Sequence, residues 1–99
     1  DYISSTFSMF SGKAQRVTLR FDNSLVNVVI DRFGKDVVIT KDGDEHFTVN
    51  VLIKTEQPEP FFGWLFQFGT KAQILEPTEL CDKYAEHLKA VLGLIESSR

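Results

Sequence analysis

Residues 15–34 read QRVTLRFDNSLVNVVIDRFG. The first seven alternate: Val17, Leu19 and Phe21 fall on one side, Arg16, Thr18 and Arg20 on the other, which is the period of a half-buried β-strand. The alternation stops at Asp22, Asn23 and Ser24, whose short polar side chains suit a helix N-terminus because they accept from its unpaired backbone N–H groups. Leu25, Val28, Val29 and either the Arg32 stem or Phe33 then recur on one helical face. Gly34 suits the left-handed residue that ends a helix. The β-branched run restricts χ1 and works against the helix, but the caps and the spacing favour it. A strand that feeds directly into a helix opens a crossover, and the remaining chain has to complete it.

Outward from this stretch, DVVIT (36–40) predicts a short strand and HFTVNVLIK (46–54) a longer one, with Phe47, Val49, Val51 and Ile53 facing inward and Thr48 and Asn50 outward. Between them, KDGDE (41–45) carries an Asp-Gly pair that marks a hairpin. After the polar loop TEQPEP, Pro60 fits the first turn of a second helix and Gly69 its end. That helix contains FFGWLFQFG (61–69), with Phe61, Trp64, Leu65 and Phe68 on the stripe expected to meet the sheet. AQILE (72–76) is a last strand, and PTELCDKYAEHLKAVLGLIESS (77–98) is an amphipathic helix in which Leu80, Tyr84, Leu88, Val91 and Ile95 share a face. The predicted order, β-α-β-β-α-β plus a C-terminal helix, is α+β and of the ferredoxin-like type: four antiparallel strands, the first and third central, two helices on one face. Val17, Leu19, Phe21, Val49, Val51, Trp64, Leu65 and Phe68 are the expected core.

Ninety-nine residues at 42% hydrophobic and 25% charged suffice for one domain with one core. The net charge of −3 carries no basic excess of the kind that announces nucleic acid. Residues 1–54 hold seven basic and seven acidic residues and residues 55–99 hold four and seven, so any anion-binding surface is expected in the first half. The single cysteine, Cys81, closes no intrachain disulfide, and no apolar run approaches the twenty or so residues that span a bilayer. The expected setting is cytoplasmic, with no membrane partner. The chain opens DYISSTFSMFSGK, on Asp1. It is expected to be a piece of a longer protein, residues 1–14 being an arm from a preceding domain and residues 15–99 the domain itself.

No pattern in the chain specifies catalysis or a cofactor. His46 follows Asp42, Asp44 and Glu45, but a calcium loop needs oxygen ligands at regular alternate positions and a distant Glu, so a solvated hairpin tip is the simpler reading. His87 falls on the polar side of the last helix with no second ligand at metal spacing. Cys81 lies near a helix start, which can lower a thiol pKa, yet no histidine is placed to act as its base. No phosphate loop, paired acids or nucleophile elbow occurs. Two surfaces remain. Arg16 and Arg20 flank Thr18 on the outward sheet face beside Thr48 and Asn50, a candidate contact for phosphate or nucleic acid, although the base-stacking aromatics of the RNA-recognition sheet are missing. Phe62 and Phe66 form a surplus apolar side of the second helix, and together with Phe7 and Phe10 of the arm they are the candidate interface residues. Cover from within the chain, by the last helix or by the Phe7–Met9–Phe10 arm, is the expectation for both rings, and a partner chain is the alternative.

Three stretches together resemble one family. TFSMFSGKAQRVTLRF (6–21), VVIDRFG (28–34) with the hairpin after it, and GWLFQFGTKAQILEPTELCDKYAEHLKAVLGLI (63–95) are similar, in order and spacing, to the C-terminal extension, WCX, of WYL-domain transcriptional regulators. The matching positions are Trp64, Leu65, Phe68, Gly69 and Pro77. The resemblance implies a bacterial regulator with an N-terminal winged helix-turn-helix, a central WYL sensor and this extension, which contributes to dimer assembly and effector response. The implied partners are the WYL and helix-turn-helix domains, a second copy in a homodimer, DNA through the absent domain, and a nucleic-acid or small-molecule effector. It implies no catalytic residue and no cofactor. A stand-alone small-ligand or nucleotide-binding ferredoxin-like module is the alternative.

Overall fold

The computed structural model describes residues 14–98; expectations for Phe7, Met9 and Phe10 lie outside them. Strand β1 (Gln15–Asp22) is buried at Val17, Leu19 and Phe21 and partly exposed between them, as its alternation requires. Asp22 is the cap. Its carboxylate accepts the Ser24 hydroxyl and, at 2.9 Å, the Ser24 N–H, and one turn of 3₁₀-helix (Asn23–Leu25) leads into α1 (Val26–Phe33). These two bonds, the hydroxyl's first, hold the Asp22 carboxyl below the usual carboxylate range. Gly34 closes α1 at φ 94°, where an L side chain would be strained.

Strand β2 (Ile39–Asp42) begins three residues later than the strand expected over DVVIT (36–40). Val37 turns inward instead and is buried in the core, its N–H donating to the Gly34 carbonyl at 3.2 Å, so pairing starts only at Ile39 opposite Val49. Gly43, at φ 77°, makes the turn, and β3 (His46–Ile53) alternates without a break, Phe47, Val49, Val51 and Ile53 all buried. Helix α2 (Glu59–Phe66) starts at its proline but stops short of Gly69; a second 3₁₀ turn (Gly69–Lys71) hands the chain to β4 (Ala72–Glu76), and α3 (Thr78–Ser97) follows.

The four strands form one antiparallel sheet in the order β2-β3-β1-β4, with β1 and β3 central. Residues of both α1 (Val29, Phe33) and α2 (Phe61, Phe62, Leu65) join the inward residues of β1 and β3 in one buried cluster. Aromatic rings fill its middle: Phe21 lies 5.6 Å from Phe47 and 6.1 Å from Trp64, and Phe33 meets Trp64 edge-on at 5.4 Å. Trp64 and Phe68 are half-buried, not enclosed as the sequence suggested. Phe68 lies beyond the end of α2, and Trp64 faces the gap between α1 and α2, where Arg32 covers its ring at 5.5 Å. The enclosed aromatics of that helix are Phe61 and Phe62.

Candidate functional site

The outward face of the sheet is polar because every buried position of β1 and β3 is apolar and the pleat sends alternate residues the other way. Register places the pairs: Thr18 opposite Asn50, Arg20 opposite Thr48, and His46 between Asp22 on β1 and Asp42 on β2. The Thr18 hydroxyl donates to Asn50 Oδ1 at 2.7 Å. Arg20 reaches diagonally across β3: its Nε lies 3.0 Å from Asp42 Oδ2, and its Nη2 donates to His46 Nδ1 at 3.3 Å. The Nε proton is not aimed along the first contact, which is therefore a close charge pair and not an aligned hydrogen bond. His46 accepts through Nδ1, which puts its neutral-form proton on Nε2.

Arg16 and Arg20 thus share the outward face, as alternation required, but in different situations. Arg16 is exposed near the start of β1. Arg20 spends its charge on Asp42, and an incoming phosphate would have to displace that carboxylate. With Asp22 and Asp42 on the same face, the surface is charge-balanced. The Arg20–Asp42–His46 contact could not be read from the sequence, because it depends on the β2–β3 register across a three-residue turn.

The other residues singled out by sequence are scattered. His87 is not on a free polar side; its ring packs on Phe62 at 5.5 Å. Cys81 donates its S–H to the Ile74 carbonyl at 3.2 Å, which ties α3 to β4, and burial pushes its thiol pKa up, away from a reactive thiolate. Phe62 is 2% exposed, covered by Tyr84 of α3 at 4.9 Å and by His87. Phe66, four residues on, is 58% exposed. Of the two surplus rings, then, the last helix covers one and leaves the other open. Among the described residues, no three of His, Cys, Asp and Glu gather as a metal site, and no helix is long and apolar enough to cross a membrane.

Two further surfaces went unnoticed in the sequence. A groove at the β2 edge, beside α1, is lined by Asn23, Val26, Ile39, Lys41, His46 and Phe47. The second half of α3 exposes Val91, Leu92, Leu94 and Ile95. The helical periodicity placed Val91 and Ile95 on one face with Leu80 and Tyr84, but among the described residues only the first half of that face is packed.

Fold and surface together define a small α+β domain with a polar outward sheet face and, among the described residues, a last helix whose apolar second half is exposed. A family model for the WCX domain matches residues 13–92, and the chain belongs to that family. It is a domain of the kind found in WYL-type regulators. No curated protein matches the chain.

Proposed function

We propose that this chain is the regulatory and assembly domain of a bacterial WYL-type transcriptional regulator. In this reading it contributes to dimerisation and to the effector response in the cytoplasm, while a helix-turn-helix outside these residues reads DNA and residues 1–14 lead in from the preceding domain. The observation that carries the reading is the family match over residues 13–92. The βαββαβ order with β1 and β3 central supports assigning the fold to the ferredoxin-like type. The polar sheet face and, among the described residues, the exposed second half of α3 supply surface for neighbouring domains or a second copy. No catalytic role is assigned.

The test compares the full-length protein with a version lacking residues 15–99. Mass by light scattering and operator binding by fluorescence anisotropy are read with and without candidate effectors, nucleic acid included. Loss of the dimer or of the effector response on truncation is the expected result. A truncated protein with unchanged mass and unchanged response overturns the proposal.

The groove at the β2 edge favours a second reading, a small-ligand or nucleotide-binding module. Apolar walls from Val26, Ile39 and Phe47 meet the Lys41 ammonium and the Asn23 side chain there, a mixture typical of small-molecule sites. Calorimetric titration with nucleotides and small carboxylates distinguishes the two: saturable binding lost in Lys41→Ala supports the module.

A further inference from the structure

The two edges of the sheet differ. At β4, α3 packs alongside and its Cys81 S–H takes up the Ile74 carbonyl. At β2, no described residue pairs with the outer side of the strand: the sheet order ends there, and residues 38–41 make no described backbone bond beyond the ladder to β3. An edge strand leaves alternate N–H and C=O groups pointing outward, a template for another strand, and natural edges are blunted by proline, a bulge or charge. Residues 38–41, VITK, hold no proline, and the register to β3 runs without a bulge. Val38 and Ile39 point to opposite faces and are 47% and 37% exposed. Such β-branched residues are enriched in strands because they pack on the neighbours beside them.

Register fixes what lies beside this edge. Ile39 stands opposite Val49 and Lys41 opposite Phe47, so both share the helix-covered face with those buried residues. With Asn23, Val26, His46 and Phe47 they line the groove described above. A strand added to β2 puts every second side chain on that same face, about 5 Å from the residue it pairs with. Its side chain opposite Ile39 therefore meets the apolar walls, and the next one on that face, two residues along, meets Lys41. Among the described residues the Lys41 ammonium has no ion pair, whereas Asp42 is already held by Arg20. The edge thus offers an apolar recess and an uncommitted cation at strand spacing, and the complement of the cation is a carboxylate.

We propose that the open edge of β2 and the groove beside it take up an extended peptide segment of a partner protein as an added strand, with an apolar side chain of that segment against Val26, Ile39 and Phe47 and an acidic side chain two residues away on Lys41. Main-chain bonds to β2 hold the segment, and the two same-face positions select it. Lys41 also excludes: a basic strand meets a like charge there, and a wholly apolar one leaves the ammonium unpaired. The site is independent of the regulatory reading, and it uses the groove for a strand where the small-ligand reading uses it for a free molecule.

The probe is the capped peptide Thr-Glu-Thr-Ile-Thr-Glu-Thr, whose pattern reads the same in either direction, titrated into the nitrogen-15-labelled whole chain and followed by amide chemical shifts, with mass by light scattering on the same samples. Saturable shifts over residues 37–42 and at Asn23 and Val26 are expected, at the mass of a single chain. Lys41→Glu, or lysines in place of the peptide's glutamates, should weaken binding by about fivefold or more. Two N-methylated peptides separate strand pairing from side-chain capture. One carries methyls on its Glu and Ile nitrogens and the other on its Thr nitrogens, so only one of them turns methyls toward β2; that one should lose binding and the other keep it. Equal binding of both methylated peptides overturns the proposal, since the groove then takes a side chain alone, as it would a small molecule. So does the absence of saturable shifts at millimolar peptide. A chain that is dimeric, with residues 37–42 unmoved by the peptide, overturns it as well, because a second copy then occupies the edge.

Discussion

Phe62 and Phe66 occupy one helix, four residues apart, and differ in what lies over them. Truncating each to Ala should therefore give very different results. Phe62→Ala empties a site that is 2% exposed and removes contacts to Tyr84 at 4.9 Å, His87 at 5.5 Å and Phe61 at 6.2 Å. Buried Phe→Ala changes cost about 3–5 kcal/mol, and ring pairs at these separations contribute about 0.5–1.5 kcal/mol of their own beyond area. Against a total of about 5–15 kcal/mol for a small domain, this is a large fraction. Phe66 is 58% exposed, so its truncation should stay within about 0.5 kcal/mol, as surface changes do, helped by the better helix propensity of Ala. At roughly 4–8 °C per kcal/mol for a domain of this size, Phe62→Ala should lower Tm by more than about 12 °C and Phe66→Ala by less than about 4 °C. Thermal scans and urea titrations of both variants, at two protein concentrations tenfold apart, decide it. A neutral Phe62→Ala would mean that α3 does not dock through Tyr84 and His87. A costly Phe66→Ala whose effect grows with protein concentration would mean that a second chain covers that ring.

Four other outcomes follow from the geometry. Arg20→Ala should destabilise by no more than about 1 kcal/mol, because the Arg20–Asp42 pair is over a third exposed on average and solvent-screened; a loss above about 2 kcal/mol in urea titration would show that the pair is structural. If Arg16 and Arg20 contact nucleic acid in the intact regulator, Arg16→Ala with Arg20→Ala should flatten the salt dependence of binding, and an unaltered slope removes both from the contact. Gly93→Ala should stabilise the chain by about 0.5–1 kcal/mol, since the added methyl meets nothing within 4 Å and the residue is mid-helix; a fall in Tm would refute the helical assignment there. Cys81, its thiol pKa raised first by burial and then by Asp82, should alkylate at pH 8 at least about tenfold more slowly in the folded than in the urea-unfolded chain, and equal rates would contradict the Cys81–Ile74 bond.

The parts of the fold that rest on local rules were legible in advance. The alternation of Val17, Leu19 and Phe21, the Asp22 cap, and Gly34 and Gly43 at positive φ each follow from the chemistry of a few adjacent residues. The start of β2 was not legible, because a Val-Val-Ile run has no period of its own, and the burial of Val37 against the core decided it. The split between Phe62 and Phe66 depends on where α3 crosses α2, which no local pattern encodes. The candidate face was legible as a face, since alternation alone put Arg16 and Arg20 outward. Its charge balance was not, because Asp42 reaches Arg20 only through a register set by the hairpin turn.

One consequence of the sheet order is mechanical. The chain enters through β1, and β1 is a central strand, laddered to β3 along its full length on one side and to β4 on the other. A pull on the residues before Gln15, directed along the strand, loads both ladders in shear at once, so that their hydrogen bonds must yield together and not one after another. An entry through edge strand β2 would have let the domain peel. Built this way, the domain is a stiff anchor, and tension arriving from outside is passed through the middle of the molecule into the strands on either side.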